Sequence, residues 1–345
     1  MSTRPAPQWR VVRFDFWIDK AFDERLGREP AIALDVAQAQ DGDERAWRLL
    51  SQAHVYQISP AKDELPAQFR ATAGLLERCP QLLCVSSTGA GFDTVDVEAC
   101  TRAGVAVVNQ AGANAASVAE MAVGLMLAVS RRIVECDRLL RSERGYSREA
   151  LMGRDLGGKT LGLVGIGHAG SRTAALARAF GMQVLAFDPY VAPEDVRARG
   201  AEPVPLPELL AQSDIVSLHC PRNAETLGMF DAARFAAMKP GALFVSTARG
   251  GIHDEQALAE ALRSGHLSGA GLDVWEPEPP PLDHPLLDLP NVVATFHTAG
   301  VTHEARRNVA SQAADQVAAL LSGARPPRLV NPEVWPQVEE RLRQN

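Results

Sequence analysis

The segment with the strongest hold on the fold lies between residues 160 and 180. Thr160–Val164 has the apolar character of a buried strand, and it runs directly into Gly165-Ile166-Gly167-His168-Ala169-Gly170 and then a helical pattern, Ser171–Phe180. A strand that turns on glycines into a helix calls for a parallel sheet, because the helix must carry the chain back before the next strand begins. The glycines also say what the turn can hold. Gly165 permits a tight turn, Gly167 lets the backbone approach a pyrophosphate, and Gly170 lets helix pack on strand, while the helix N-terminus attracts negative charge. The triplet alone is a weak signal. Here the next apolar run, Val184–Phe187, ends on Asp188, which follows the last glycine by 188 − 170 = 18 positions. That is near the spacing of a carboxylate gripping a ribose hydroxyl. Asp188 would repel a 2′-phosphate and no Arg follows in Asp188-Pro189-Tyr190, so the expected cofactor is NAD (NADH) rather than NADP.

The same alternation of apolar runs and helical patterns fills most of the chain. The first third predicts strands at Val11–Ile18, Ala31–Val36, Ala53–Ile58, Leu82–Ser86 and Val105–Val108. The second series predicts Thr160–Val164, Val184–Phe187, Ile215–Leu218, Leu243–Ser246, Gly269–Leu272 and Val292–Thr295, with Gly and Pro at nearly every junction. Between the series, Asn114 to Arg141 reads as one long helix without a central Pro, either a backbone between two domains or one more packed helix. Glu304–Leu321 reads helical, and the Pro-rich segment after it reads as a wrapped terminus. With 345 residues, 46% of them hydrophobic, the chain can bury two cores. A net charge of −7 without clustered Lys or Arg gives nucleic acid no electrostatic footprint. The longest apolar stretch, Val118–Ser130, contains Glu120 and is too short for a bilayer, so no membrane partner is expected. Five dispersed cysteines without CxxC spacing, and an opening segment MSTRPAPQWR without an apolar leader core, lead to the expectation of reduced thiols, no metal site and a cytoplasmic protein.

Three of the later strands end on reactive residues. Leu243–Ser246 leads to Thr247-Ala248-Arg249, Gly269–Leu272 to Asp273, and Val292–Thr295 to Phe296-His297. In an open parallel sheet, ligands gather at these carboxyl ends. After Asp273 come Glu276 and Glu278, with the backbone restricted by Pro277 and Pro279. An arginine fork can hold a carboxylate and polarise a carbonyl, and a histidine can exchange the proton of a new alkoxide. A carboxylate beside the histidine favours the imidazolium. Residue chemistry leaves Glu276 and Glu278 equal as that partner, and leaves open a helix-capping role for Arg249 and a core position for His297.

Asp155-Leu-Gly-Gly-Lys-Thr-Leu-Gly-Leu-Val-Gly-Ile-Gly-His-Ala-Gly, Met238-Lys-Pro-Gly-Ala, Thr247-Ala-Arg-Gly-Gly, Gly271-Leu-Asp-Val-Trp-Glu-Pro-Glu-Pro and His297-Thr-Ala-Gly, taken in order, resemble the D-isomer-specific 2-hydroxyacid dehydrogenase family over most of the chain. The resemblance implies a catalytic trio of Arg249, Glu278 and His297, and selects Glu278 over Glu276. It implies an α/β architecture in which a Rossmann-type NAD-binding domain, residues 110–299, is inserted into a flavodoxin-like substrate domain, residues 1–109 plus 300–345, with a cleft between them. It places Thr247, Ala248 and Asp273 near the nicotinamide, Cys220 and Pro221 near the adenosine, and His168, Ala169, Thr226 and Gly300 in the same cofactor set. Gly89-Ala90-Gly91 resembles the loop whose N–H groups take the substrate carboxylate, a role Arg249 shares. The long helix commonly builds a dimer in this family, so a homodimer is expected.

Three positions depart from the family pattern. Phe296 stands where a Pro usually precedes the histidine, His168 where Arg or another polar residue is frequent, and Tyr146 where a Trp is common in an arm reaching the partner subunit. The expected reaction is hydride exchange between NAD and a small D-2-hydroxy or 2-oxo acid. Tyr56-Gln57-Ile58-Ser59 lacks the Arg that suits a phosphate in phosphoglycerate dehydrogenases, and formate dehydrogenases use Gln where Glu278 stands. The reading from another class is an NAD(H)-sensing corepressor of the same fold.

Overall fold

The computed structural model describes residues 8–38, 43–62, 64–145 and 147–344, so Tyr146 lies outside the described residues. The chain divides into two compact units, one made of residues up to Asn114 together with His303 onward, the other of Ala115–Thr302.

In the first unit five parallel strands, β1 (Trp9–Phe14), β2 (Ile32–Ala37), β3 (Val55–Ile58), β4 (Cys84–Ser87) and β5 (Ala106–Val108), lie in the order β2-β1-β3-β4-β5. This is the flavodoxin-like order. The strands read as nearly unbroken apolar runs because both faces are covered. Val12, Tyr56, Ile58, Val85 and Val107 enter one core with Phe69 and Leu75, while Val11, Val55, Cys84, Ala106 and Val108 enter another with the helix His303–Leu321. β1 stops at Phe14, four residues short of the apolar run, because its partner β2 stops at Ala37 in register with it. The outer edge of β5 is closed by the C-terminal segment. Val330 N–H donates to Val107 O at 2.8 Å, and the buried Asn331 side chain accepts from Val107 N–H at 2.8 Å and donates to Val105 O at 3.0 Å. Asn331 thus serves as a strand one residue long.

The second unit holds β6 (Thr160–Val164), β7 (Gln183–Phe187), β8 (Glu202–Pro203), β9 (Ile215–Leu218), β10 (Leu243–Ser246), β11 (Gly269–Leu272) and β12 (Val292–Ala294). All are parallel, in the order β12-β11-β10-β9-β6-β7-β8, a Rossmann-type sheet whose strand order reverses between β6 and β9. The two-residue β8 was too short to leave a sequence signal. The first unit runs to Asn114 rather than 109, because Gln110 is tied back to it: its N–H donates to Gly89 O at 2.8 Å and its side chain to Ser87 O at 3.2 Å.

The helix expected from Asn114 to Arg141 is two helices, Ala115–Ser130 and Ile133–Ser142. Between them Arg132 is left-handed, with φ 53°. Its guanidinium grips Glu135 at 2.7 Å, and Ser130 O accepts from Arg154 N–H at 2.7 Å. Ala115–Ser130 is apolar on most sides because it lies against β10, β11 and the helix His168–Ala179, burying Ala119, Ala122, Leu125 and Met126. Ile133–Ser142 buries no residue at all. Among the described residues no helix is long and apolar enough to cross a membrane, and no cluster of three His, Cys, Asp or Glu could hold a metal.

Replacing Asn331 by Ala leaves Val107 N–H and Val105 O unpaired in a buried site. Such a loss costs about 3 kcal/mol. Equilibrium denaturation should show the transition of the first unit at lower denaturant; an unmoved midpoint would remove Asn331 from this role.

Candidate active site

At the end of β6 Gly165 has φ +95°, and a Cβ there would lie 2.8 Å from Cys220 N. A Cβ on Gly170 would lie 2.2 Å from Gly165 O. Only glycine lets the turn and the helix His168–Ala179 close on each other in this way. Gly167 is the N-cap of that helix, and no side chain caps it, so its first N–H groups are left for an incoming acceptor. A Cβ on Gly167 would meet nothing within 4 Å, so that side of the turn is open. Asp188 is fixed on the turn, accepting from Ile166 N–H at 3.0 Å with one oxygen and from Tyr190 N–H at 3.0 Å with the other. Each oxygen keeps a lone pair for a further donor.

His168 is exposed and Ala169 half-buried at the helix start. Cys220 is half-buried, its thiol pushed up to about 11 by burial. Thr226 spends its hydroxyl inside its own loop, donating to Pro221 O at 2.6 Å and accepting from Asn223 N–H at 2.9 Å, so it shapes the turn beside Cys220. After β10, Thr247 Oγ1 is buried with no partner among the described residues, and Ala248 O accepts from Arg249. An uncapped helix start, an open glycine face, a carboxylate with free lone pairs and an orphaned buried hydroxyl are what a dinucleotide would satisfy. The residues fit the cofactor.

The reactive residues converge at the same carboxyl ends. His297 Nδ1 and Glu278 Oε2 are 2.9 Å apart, and Glu278 Oε1 accepts from Trp275 N–H at 2.9 Å. Both side chains are about one-third exposed, 38% and 33%, so they can meet a ligand. Burial pushes the Glu278 carboxyl up, but the His297 bond and charge, Trp275 N–H and nearby Arg249 together hold it below the ordinary glutamate value. Among the described residues His297 is one of two non-glycine residues with positive φ, at 51°. Asp273, fully buried, imposes that shape. Its backbone O accepts from His297 N–H at 2.7 Å, and its carboxylate accepts from Thr295 Oγ1 at 2.5 Å and from Thr298 and Ala299 N–H at 2.8 Å each. Gly300, half-buried, follows this turn, and Phe296 is 81% exposed beside it. Glu276, left equal to Glu278 by residue chemistry, instead pairs with Arg222 at 2.6 Å.

In the first unit the loop after β4 turns its carbonyls inward. Gly89 O accepts from Gln110 N–H, Ala90 O from the Asn109 side chain at 2.8 Å, and Gly91 O from Ser87 Oγ at 2.6 Å. The N–H groups of Ala90 and Gly91 take no partner among the described residues.

The family described as D-isomer specific 2-hydroxyacid dehydrogenase, NAD binding domain, matches residues 123–299. The chain belongs to this family. A D-3-phosphoglycerate dehydrogenase from Archaeoglobus fulgidus is 41% identical over 74% of this chain and 49% of its own length. A glyoxylate reductase from Korarchaeum cryptofilum is 40% identical over 76% of this chain and 80% of its own length. The chain therefore spans about half the length of the phosphoglycerate dehydrogenase. A crystal structure of a glyoxylate reductase from Paecilomyes thermophila superimposes with a TM-score of 0.84 at 28% identity, covering 95% of this chain and 99% of that one. The second unit, which contains residues 123–299, is accordingly an NAD-binding domain.

Sequence reasoning did not single out the residues that support the His297–Glu278 couple. Trp275 donates its indole N–H to Thr295 O at 3.0 Å, and Glu255, Arg222 and His284 surround the same loop. A hydrophobic aromatic, an acid at a helix start and a histidine between prolines each have ordinary structural uses, and only the tertiary contacts distinguish them.

Proposed function

We propose that the chain is an NAD-dependent oxidoreductase interconverting a small, unphosphorylated D-2-hydroxy acid and its 2-oxo acid. The observation that carries this reading is the His297 Nδ1–Glu278 Oε2 bond, which leaves Nε2 as the ring nitrogen open to a substrate. The bound dinucleotide supplies the hydride. Glu278, accepting at Nδ1, fixes the plane of the ring, and His297 Nε2 gives a proton to the substrate oxygen as the carbonyl becomes an alcohol, or takes it back in the reverse direction. Arg249 holds carboxylate and carbonyl and polarises the latter. The unpaired N–H groups of Ala90 and Gly91 are assigned to the substrate carboxylate. The helix start at Gly167–Gly170 takes the pyrophosphate, Asp188 the ribose hydroxyls, and Thr247 the nicotinamide end. A carboxylic acid without phosphate is favoured because Gln57 and Ser59 bring no cation to the end of β3, and Ser59 Oγ donates to Glu64 at 2.5 Å.

A homodimer is part of the proposal. The helix Ile133–Ser142 buries nothing within the chain, and Ile133, Leu140 and Met152 are 52%, 71% and 72% exposed. Exposed apolar side chains, Ile133 and Leu140 on an unburied helix and Met152 in the segment after it, suit a second copy.

NADH oxidation against glyoxylate, pyruvate, hydroxypyruvate, 3-phosphohydroxypyruvate and longer 2-oxo acids should show turnover of an unphosphorylated member. His297→Ala should lower kcat by about a thousandfold while NADH affinity stays within about twofold. A variant that keeps its kcat would end the assignment of His297, and NADH binding without turnover of any acid would end the catalytic reading. Asp188→Ala should weaken NADH binding by about tenfold, equivalent to about 1.4 kcal/mol, and raise the NADPH-to-NADH preference; an unchanged preference removes Asp188 from the ribose. In sedimentation the chain should run as a dimer and Leu140→Asp as a monomer, and a monomeric wild type refutes the dimer.

A further inference from the structure

We infer that Glu255 and His284 form a buried positioning pair that sets the geometry of the Glu278–His297 couple, an inference that rests on the catalytic reading above. The two come from distant parts of the second unit, Glu255 from the first turn of the helix Glu255–Arg263 and His284 from the loop before β12. His284 Nε2 and Glu255 Oε2 are 2.9 Å apart, with side chains only 9% and 11% exposed. His284 Nδ1 accepts from Leu286 N–H at 3.3 Å. That nitrogen therefore offers a lone pair, so Nε2 carries the proton and donates it to Glu255. The other oxygen, Glu255 Oε1, accepts from Glu276 N–H at 3.0 Å. The imidazole also stands edge-on against the Trp275 ring, centroids 5.5 Å apart at 78°.

The pair thus holds Trp275 and Glu276 from one side. From the other side Trp275 reaches both members of the couple. Its backbone N–H donates to Glu278 Oε1 at 2.9 Å, and its indole N–H donates to Thr295 O at 3.0 Å, two residues before His297. A carboxylate this far out of water is costly unless its hydrogen bonds are filled, and both oxygens of Glu255 are filled by groups that lead to this loop. Burial raises the Glu255 carboxyl, opposed by the bonds from His284 and Glu276 N–H, and the net direction is up. The other charged or titratable neighbours are accounted for. Glu276 is paired with Arg222 at 2.6 Å. Asp254 caps its own helix through Ala257 N–H at 3.0 Å. His253 is pushed down to about 4 by burial and stays neutral. Glu278 itself is faced by His297 and Arg249.

The test follows the Glu278–His297 couple itself. Histidine ring NMR on the full chain, assigned with His297→Gln, reads the pH at which protonation of Glu278 disturbs His297. Glu278 is held below 4.5, the ordinary glutamate value, so in the wild type its carboxylate is ionised above that pH and the charge is lost as pH falls through the lowered value. In His284→Ala the Trp275 N–H bond loosens, one of the contributions lowering Glu278 weakens, and the inflection moves to higher pH. Alongside it kcat should fall about tenfold with NADH affinity within about twofold, the size of effect a displaced acid–base pair gives. His284→Gln, whose amide N–H can still donate to Glu255, should restore both. If His284→Ala does not fold, Glu255→Gln makes the same test, because an amide has one acceptor oxygen and can keep only one of the bonds from His284 Nε2–H and Glu276 N–H, at unchanged volume. An inflection that stays at the wild-type pH in the folded variant overturns the proposal, whatever the melting temperature does. A wild type that turns over no 2-oxo acid refutes the catalytic reading separately, because the inflection is read without turnover.

Discussion

A carboxylate buried at the end of β11 governs the shape of the candidate site. Asp273 is completely inaccessible, and a buried carboxylate is tolerated only where donors replace the lost water. Thr295 Oγ1 and the N–H groups of Thr298 and Ala299 provide them, all from the turn that follows β12. Gathering three donors on one group forces that turn to wrap around Asp273, and His297, in the middle of the wrap, is driven to φ 51°. A non-glycine residue in the left-handed region is costly, and it persists only when its surroundings over-determine it. The same wrap leaves the imidazole half-exposed with its Nδ1 against Glu278.

This explains how much of the site was legible beforehand. Arg249, Asp273 and His297 are at strand ends in the sequence and at strand ends in the fold, because apolar runs of three or four residues report β10, β11 and β12 well. The glycine turn was legible for the same reason, and close distances at Gly165 and Gly170 match the tight turn and the helix–strand approach expected of them. Geometry around Glu278 was not. Glu276 and Glu278 are two residues apart with a proline after each, and what separates them is Arg222, fifty-four positions upstream, which takes Glu276. Resemblance chose between them; local chemistry did not.

The errors have a common cause. Periodicity sees a helix as long as apolar residues recur, but it does not see Arg154 N–H occupying Ser130 O, which ends the helix and turns Arg132 left-handed. Likewise the run Val11–Ile18 keeps apolar residues to its end, yet β1 is only as long as β2 beside it. Elements end where a partner ends, and partners are not adjacent in sequence.

The closure of β5 by Asn331 bears on how the chain is completed during synthesis. All seven strands of the second unit lie in one uninterrupted stretch, so that unit can be finished while the remainder is still being made. The first unit is begun earlier and finished last. Its five strands emerge first, but one face of its sheet waits for Ala310, Ala313 and Val317, and its open edge waits for Asn331. Until then it carries a bare apolar face and an unpaired strand, the two features that invite association with other chains.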